Sequence, residues 1–553
     1  MKPRPYQQAA LEAIYEAWRE HSSTLLVQPT GTGKTIVFAH VIKGRPMGRA
    51  LVLAHRKELI EQAQDKIYRV TGIVADVEMA DYRADVGFQH SPVVVSSIQT
   101  QIAGRGDGRM ARFKPEQFAT LIVDEAHHAT ARSYRRVLDY YRQNPQIKVL
   151  GVTATPDRAD EAALGRVFQS VAYDYEILDA INDGWLVPIR QRVLHVQGLD
   201  LSNVRTTAGD LNGAELARVM EYERNLLEIG SATVELIGKR KSLVFAASVA
   251  HAERLSEIVN RYLPNSARWV CGETPRDRRT VIFRDYAAGE FQVLVNVGVA
   301  TEGFDEPGIE CVVMARPTKS RCLYAQMAGR GTRPLPGLVD PIEDATSRRA
   351  AIEQSAKPFL EILDFVGNSG KHRLISSADI LGGRYEDAVV ELARHKADGA
   401  TGSLDMRETL EVSLREIEEQ RQAARRAALR PRAEFSCEWI DPFAVFGITA
   451  RRERAWNKGR PATDKQIAFL AKSGIPSHVL KNLGLSAASQ LIEEIIERRN
   501  DNRCTYKQAR LLARYGYDGA GISFGRAREI IDGIAANGWR QPRKAVESAV
   551  SVY

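Results

Sequence analysis

Two hydrophobic patterns alternate along the first two thirds of the chain. Short apolar runs at Thr24–Val27, Arg49–Ala54, Pro92–Thr100 (with a polar exit), Thr120–Val123 and Lys148–Val152 are nearly continuous in Val, Ile, Leu and Ala. Runs of this length and composition predict strands buried on both faces. Between them the spacing is helical: Ala10, Leu11, Ile14, Tyr15 and Trp18 recur at three or four residues, and Leu59, Ile60 and Ala63 share a face. Strands alternating with helices predict a parallel sheet covered on both sides, with its sites at the carboxyl ends of the strands. After a connecting region with a helical stretch at Ala214–Lys239, the scheme restarts. Ser242–Ala247, Val270–Pro275, Gln292–Val297, Cys311–Ala315 and Phe359–Val366 predict a second α/β unit.

Beyond residue 385 the pattern becomes helical. Leu410, Leu414 and Ile417 share a face in a charged, alanine-rich stretch, followed by an aromatic patch at Phe435, Trp439, Phe443 and Phe446. From about Pro461 the chain repeats itself. Thr463, Gln466, Leu470 and Gly474 match Thr505, Gln508, Leu512 and Gly516, while Ala488, Leu491 and Ile492 match Ala527, Ile530 and Ile531. Each copy predicts helix, glycine-stopped loop, helix, with Thr463 and Thr505 as N-caps. The expected fold class is α/β: two tandem parallel-sheet lobes (1–190 and 191–385), a charged helical linker (386–460) and a small all-helical C-terminal region (461–553).

Charge sharpens this division. The net charge is +8, yet Thr449–Tyr553 holds 19 Lys+Arg against 10 Asp+Glu, a balance of +9, so the preceding residues sum to −1. A basic excess confined to one region suits a polyanion, though solubility alone could also account for it. No apolar run approaches the ~20 residues of a membrane span. Five scattered cysteines (Cys271, Cys311, Cys322, Cys437, Cys504) form no C-x-x-C pair. They read as free thiols rather than zinc ligands or disulfides. With no leader-like start, the expectation is a cytoplasmic protein without a membrane partner.

Candidate chemistry falls at the predicted strand ends. Thr30, Gly31, Thr32, Gly33, Lys34 and Thr35 form a glycine-containing loop between strand and helix, a geometry that favours phosphate. Gln28 stands where such loops usually have their first glycine. Lys34 would reach the β- and γ-phosphates and Thr35 would hold Mg²⁺. Asp124 and Glu125 close another strand, one carboxylate suited to Mg²⁺ and its neighbour to polarising a water. The alternative for this pair is a helix cap. His127 and His128 lack a third metal ligand at a useful spacing; His127 reads as a relay and His128 as a surface residue. Gln7, at a proline-started helix, could simply begin that helix or offer its amide to a nucleobase. Arg330 and Arg333 lie three apart, so a turn would put both on one face, suited to phosphoryl charge.

Taken in order, Gln7, the Lys34–Thr35 loop, Leu53–Leu59, Ser96–Thr100, Asp124–His127 and Thr153–Thr155 resemble the superfamily 2 helicases of the DExH type, in the branch of restriction-type translocating subunits and RadD-like helicases. Thr301–Asp305 and Gln326–Arg333 resemble that family's fifth and sixth motifs. The resemblance implies two RecA-like lobes that share ATP and Mg²⁺ and move along nucleic acid. DNA is the favoured track and RNA a possible one; an ATP-gated DNA-binding scaffold is the competing function. It further implies that Gln7 reads adenine and that Asp305 holds the ribose or an inter-lobe contact. His127, Thr153, Thr155 and Gln326 would couple hydrolysis to movement. His55, Arg56, Ser96, Ser97, Thr100, Thr274 and Thr301 would face nucleic acid. The C-terminal repeat reads as a nucleic-acid module or a docking element for protein partners.

Overall fold

In a computed structural model the chain is described from residue 2 onward, apart from 88–89, 105, 107, 155–161, 301–303, 429–440, 452–456, 458, 516, 537, 540–553 and the side chains of 424–428. It divides into two compact units, Met1–Gly383 with Ala388–Leu414, and Arg384–Asp387 with Arg415–Tyr553.

The first unit holds two α/β lobes, each built on a seven-stranded sheet. In the first lobe β1 (Ser23–Val27), β2 (Arg49–Ala54), β3 (Asp76–Glu78), β4 (Val93–Ser97), β5 (Phe118–Asp124), β6 (Lys148–Thr153) and β7 (Ser170–Asp174) lie in the order β3-β4-β2-β5-β6-β1-β7. Every pairing is parallel. β1, β2 and β4 are buried along their whole length, as unbroken apolar runs require. This order positions the site. Val27 pairs with Thr153 and Asp124 with Val152, so the exits of β1, β6 and β5 emerge side by side.

The second sheet contains β8 (Ile189–Asp200), β11 (Ser242–Ala246), β12 (Ala267–Cys271), β13 (Val293–Val297), β14 (Cys311–Ala315), β15 (Leu360–Asn368) and β16 (Leu404–Asp405), ordered β12-β13-β11-β14-β15-β8-β16. Only the two-residue β16 runs antiparallel. A small ribbon, β9 (Thr206–Thr207) with β10 (Asp210–Leu211), lies outside it. β8 falls in what the sequence presents as a connecting region. It alternates buried Ile189 and Gln191 with exposed Arg190, so it lacks the continuous apolar run that marks the other buried strands. The expected helix at Ala214–Lys239 is two helices, Gly213–Met220 and Glu223–Ile237.

A buried carboxyl sits in the second lobe. Asp364 on β15 accepts from Tyr324 Oη at 2.9 Å and Gln191 Nε2 at 2.8 Å. Burial pushes its pKa up to about 7. Between the ordinary carboxylate range and pH 7 the folded chain keeps a proton that the unfolded chain releases. This group's stabilisation is therefore present at acid pH and lost as pH rises through 7. Asp364→Asn is expected to raise the apparent melting temperature at pH 8 by on the order of 5 °C and to flatten its fall between pH 4 and 7. Thermal unfolding followed across pH checks this.

In the second unit, the repeat is carried down to single hydrogen bonds. The helices Asp464–Lys472 and Tyr506–Arg514 both start from a threonine capping box. Ala462 N donates to Leu483 O as Cys504 N donates to Ile522 O, and Leu485 N donates to Arg460 O as Phe524 N donates to Asn502 O. Leu470 and Leu512, and Ala488 and Ala527, are equivalent pairs in one shared core. Arg498 anchors that core: it is 2% exposed, pairs with Glu494 at 2.7 Å and donates to the carbonyls of Phe446, Cys504, Gly519 and Ala520. Phe435, Cys437, Trp439 and Gly516 lie outside the described residues. Among the described residues the cysteines are free and buried, no acidic, histidine or cysteine cluster could hold a metal, and no helix is long and apolar enough to cross a membrane.

Candidate nucleotide site between the lobes

The loop after β1 turns at Gly31 (φ +89°) and Gly33 (φ +81°) before the helix Lys34–Gly44 begins. Both angles lie where only glycine is unstrained. There is also no room for a side chain: a Cβ on Gly33 would come 2.7 Å from Gln7 Nε2, and one on Gly31 would come 2.9 Å from Arg333 Cγ. Gln28, the departure from the usual glycine, braces the loop. Its backbone N–H donates to Thr153 O, and its amide donates to Thr32 O and Oγ1, each at 2.9 Å. Tyr6 Oη and Gln7 Nε2 also donate to Thr32 O, at 2.7 and 2.9 Å, while Gln7 Oε1 accepts from Arg4 N. In this structure Gln7 is buried with its amide spent on the loop and the helix start, and it does not face the cavity.

Lys34 Nζ is 3.9 Å from Glu125 Oε1. Glu125 takes φ +47° directly after β5, a strained conformation for a residue with a side chain, and strain of this kind clusters at functional sites. Its Oε2 is buried without a hydrogen-bond donor, with His127 Nδ1 at 3.4 Å; that same nitrogen is 3.3 Å from Thr153 Oγ1. Asp124 Oδ1 accepts from Glu125 N. His128 is not a surface residue. Its ring is half-buried between those of His55 (4.5 Å between centroids) and His127 (4.1 Å).

The facing wall comes from the second lobe. Arg333 packs across Gly31 and pairs with Asp305, and a Cβ on Gly329 would lie 2.7 Å from Thr30 Cβ. Burial lowers the Arg333 pKa to about 10, so at neutral pH it is a desolvated cation. Arg330 Nη1 donates to Phe304 O at 2.7 Å. One cavity of about 670 Å³ is lined by Lys34, Thr35, Asp124 and Glu125 on one bank and by Asp305, Arg330 and Arg333 on the other. The lobes are further tied by Arg56 Nη1 to Gly298 O (2.8 Å), Arg276 to Glu61 (2.8 Å) and Arg279 to Glu58 (3.3 Å).

The expected nucleic-acid track fares differently. The hydroxyls of Ser96, Ser97 and Thr100 are buried and turned inward. Ser96 Oγ donates to Glu78 O, Ser97 Oγ to Thr100 Oγ1, and Thr100 Oγ1 accepts from Ala80 N. They hold the β4 corner together and leave no hydroxyl on an open surface. Arg56 makes the inter-lobe bond above, and Thr274 Oγ1 accepts from Cys271 N. Gln326 is buried with no partner for Nε2. Thr155 and Thr301 lie outside the described residues. Sequence reasoning missed Lys357. Fully buried, it donates to Pro307 O and Arg333 O, each at 2.7 Å, and so ties the segment after Asp305 to the backbone of Arg333. Burial brings its pKa down to about 7. Nothing in the surrounding Ser355–Pro358 marks it in the sequence.

Residues 1–158 match the family described as type III restriction enzyme, res subunit, and residues 227–334 match the helicase conserved C-terminal domain. The two matches fall one in each lobe of the first unit. Among curated relatives, the putative ATP-dependent helicase IRC3 of Saccharomyces cerevisiae is 31% identical over 414 residues, 70% of this chain and 55% of that protein. A putative DNA 3'-5' helicase Rad25 of Halobacterium salinarum is 28% identical over 335 residues, 60% of this chain and 52% of that one. The chain spans about half the length of these relatives. The solved structure of the ATP-dependent type ISP restriction-modification enzyme LlaBIII bound to DNA shares the fold, with a TM-score of 0.50 at 15% identity over 97% of this chain and 42% of that one.

Proposed function

We propose that this chain is an ATP-dependent DNA helicase or translocase whose nucleotide sits in the cavity between the lobes. The observation that carries the reading is that Arg333, from the second lobe, lies against Gly31 of the first lobe's phosphate loop, across one cavity from Lys34 and Glu125. A phosphate chain there would meet backbone N–H groups, Lys34 and two guanidinium groups. The donor set also suits Mg²⁺: Thr35 Oγ1 and Asp124 would hold it, and the ion would neutralise phosphate charge. Glu125 Oε2, buried without a donor, is the acceptor available to orient a water and take its proton. Arg330 and Arg333 would steady the charge that spreads over the γ-phosphate oxygens.

A nucleotide gripped from both banks favours closed lobes, and its hydrolysis removes that preference. His127 and Thr153, in contact with each other behind Glu125, are the segment through which the change would pass to the sheet edge. DNA as the track rests on the Rad25 relative's name and on the basic C-terminal unit. Single-stranded DNA is expected to raise the ATP hydrolysis rate more than RNA of the same length; stronger stimulation by RNA would reverse that assignment.

A further inference from the structure

The second unit contains a groove of about 840 Å³ where the first repeat's helix Asp464–Lys472 ends and the second repeat's helix Tyr506–Arg514 begins. Its lining has no carboxylate, although the repeats themselves carry several. Lys472, Arg499 and Lys507 stand exposed on it and make no ion pair among the described residues. Lys507 lays its methylenes across Gly474, where a Cβ would lie 2.6 Å from its Cε, which anchors the stem and leaves the ammonium on the groove. Apolar surface is exposed there too: Phe469 is 39%, Phe524 43% and Ile496 46% accessible.

A second, independent feature points to a ligand. Tyr506 is 2% exposed and lines the groove, yet its buried hydroxyl has no hydrogen-bond partner. A buried, unsatisfied hydroxyl costs on the order of 1–3 kcal/mol. It sits in the first turn of a nine-residue helix, where backbone N–H groups also favour an anion.

We infer that this groove binds single-stranded DNA independently of the nucleotide site. Free cations, that of Lys507 on an anchored stem, would meet phosphates, Tyr506 Oη would donate to a phosphate or base oxygen, and Phe469 and Phe524 offer faces for unstacked bases. Aromatics interleaved with unpaired cations suit a strand whose bases are exposed, whereas a duplex presents only its backbone to such a surface. The choice of DNA over RNA rests on the function proposed above; the groove itself does not depend on the ATP site.

The test uses the full chain without nucleotide and a labelled oligothymidylate, with binding followed by anisotropy over a salt series. The triple variant Lys472→Glu/Arg499→Glu/Lys507→Glu is expected to bind about tenfold or more weakly, with a log K against log salt slope shallower by about 2. Tyr506→Phe is expected to weaken binding several-fold while leaving the melting temperature unchanged or higher, because no internal hydrogen bond is lost. Unchanged affinity and slope in the triple variant would overturn the proposal and leave the groove to a protein partner. A preference for oligouridylate, lost in the same variant, would overturn DNA as the occupant. Failure of the motor reading would appear separately, as absence of ATP hydrolysis by the unaltered chain.

Discussion

Glu125→Gln is expected to bind ATP and to hydrolyse it on the order of a thousandfold more slowly. Gln keeps the shape and the hydrogen-bonding length of the side chain, so the strained turn at φ +47° and the packing after β5 stay as they are. What changes is the oxygen nearest His127: the acid's Oε2 is a buried acceptor with no donor, and an amide there is a much weaker base. The positive charge of Lys34, 3.9 Å from the other oxygen, is then no longer opposed, and nucleotide affinity should hold or rise. Fluorescent-nucleotide binding and steady-state turnover separate the two effects. Lys34→Ala should lower both. In either variant, DNA binding should be retained, since the groove and the site use different residues.

The second large effect is expected at Arg333. Arg333→Ala should cost roughly a thousandfold or more in turnover while weakening nucleotide binding far less, because the charge it supports is greatest in the transition state. Its placement makes the effect steep. The guanidinium is already desolvated, with a pKa lowered to about 10, so little solvent reorganisation precedes its interaction with phosphate. Its backbone carbonyl is held by Lys357 and its side chain by Gly31 and Asp305, so the group is aimed before nucleotide arrives. Arg333→Lys keeps a charge but not the planar fork, and should recover only a small part of the rate. Single-turnover hydrolysis beside equilibrium binding distinguishes this outcome from loss of the fold.

Much of this arrangement is written in the chain in short segments. The loop around Lys34, the pair Asp124–Glu125 and the arginines at 330 and 333 each follow a recognisable strand or helix, and their meeting follows from sheet order and the pairing of two lobes. β8 is harder to see because its polar residues alternate along one face, and it is placed by its long register with β15 rather than by its own composition. Ser96, Ser97 and Thr100 show the limit in the other direction. Their residue types suit phosphate contacts, but a hydroxyl at a strand end serves a capped corner equally well, and only the partners decide. Lys357 has no sequence signal because its role is set by two backbone carbonyls distant in the chain. Tyr506 stands where the first copy of the repeat has Asp464, so the repeat pattern does not mark it; its missing partner is visible only in three dimensions.

Two lobes that share one nucleotide and couple its hydrolysis to a strand must hydrolyse ATP at a rate that the strand changes. The most direct measurement is the steady-state rate of ATP hydrolysis by the unaltered chain in Mg²⁺, with and without single-stranded DNA. A low basal rate that rises severalfold with DNA is the expected result. A rate that DNA leaves unchanged, or no hydrolysis in its presence, would contradict the account.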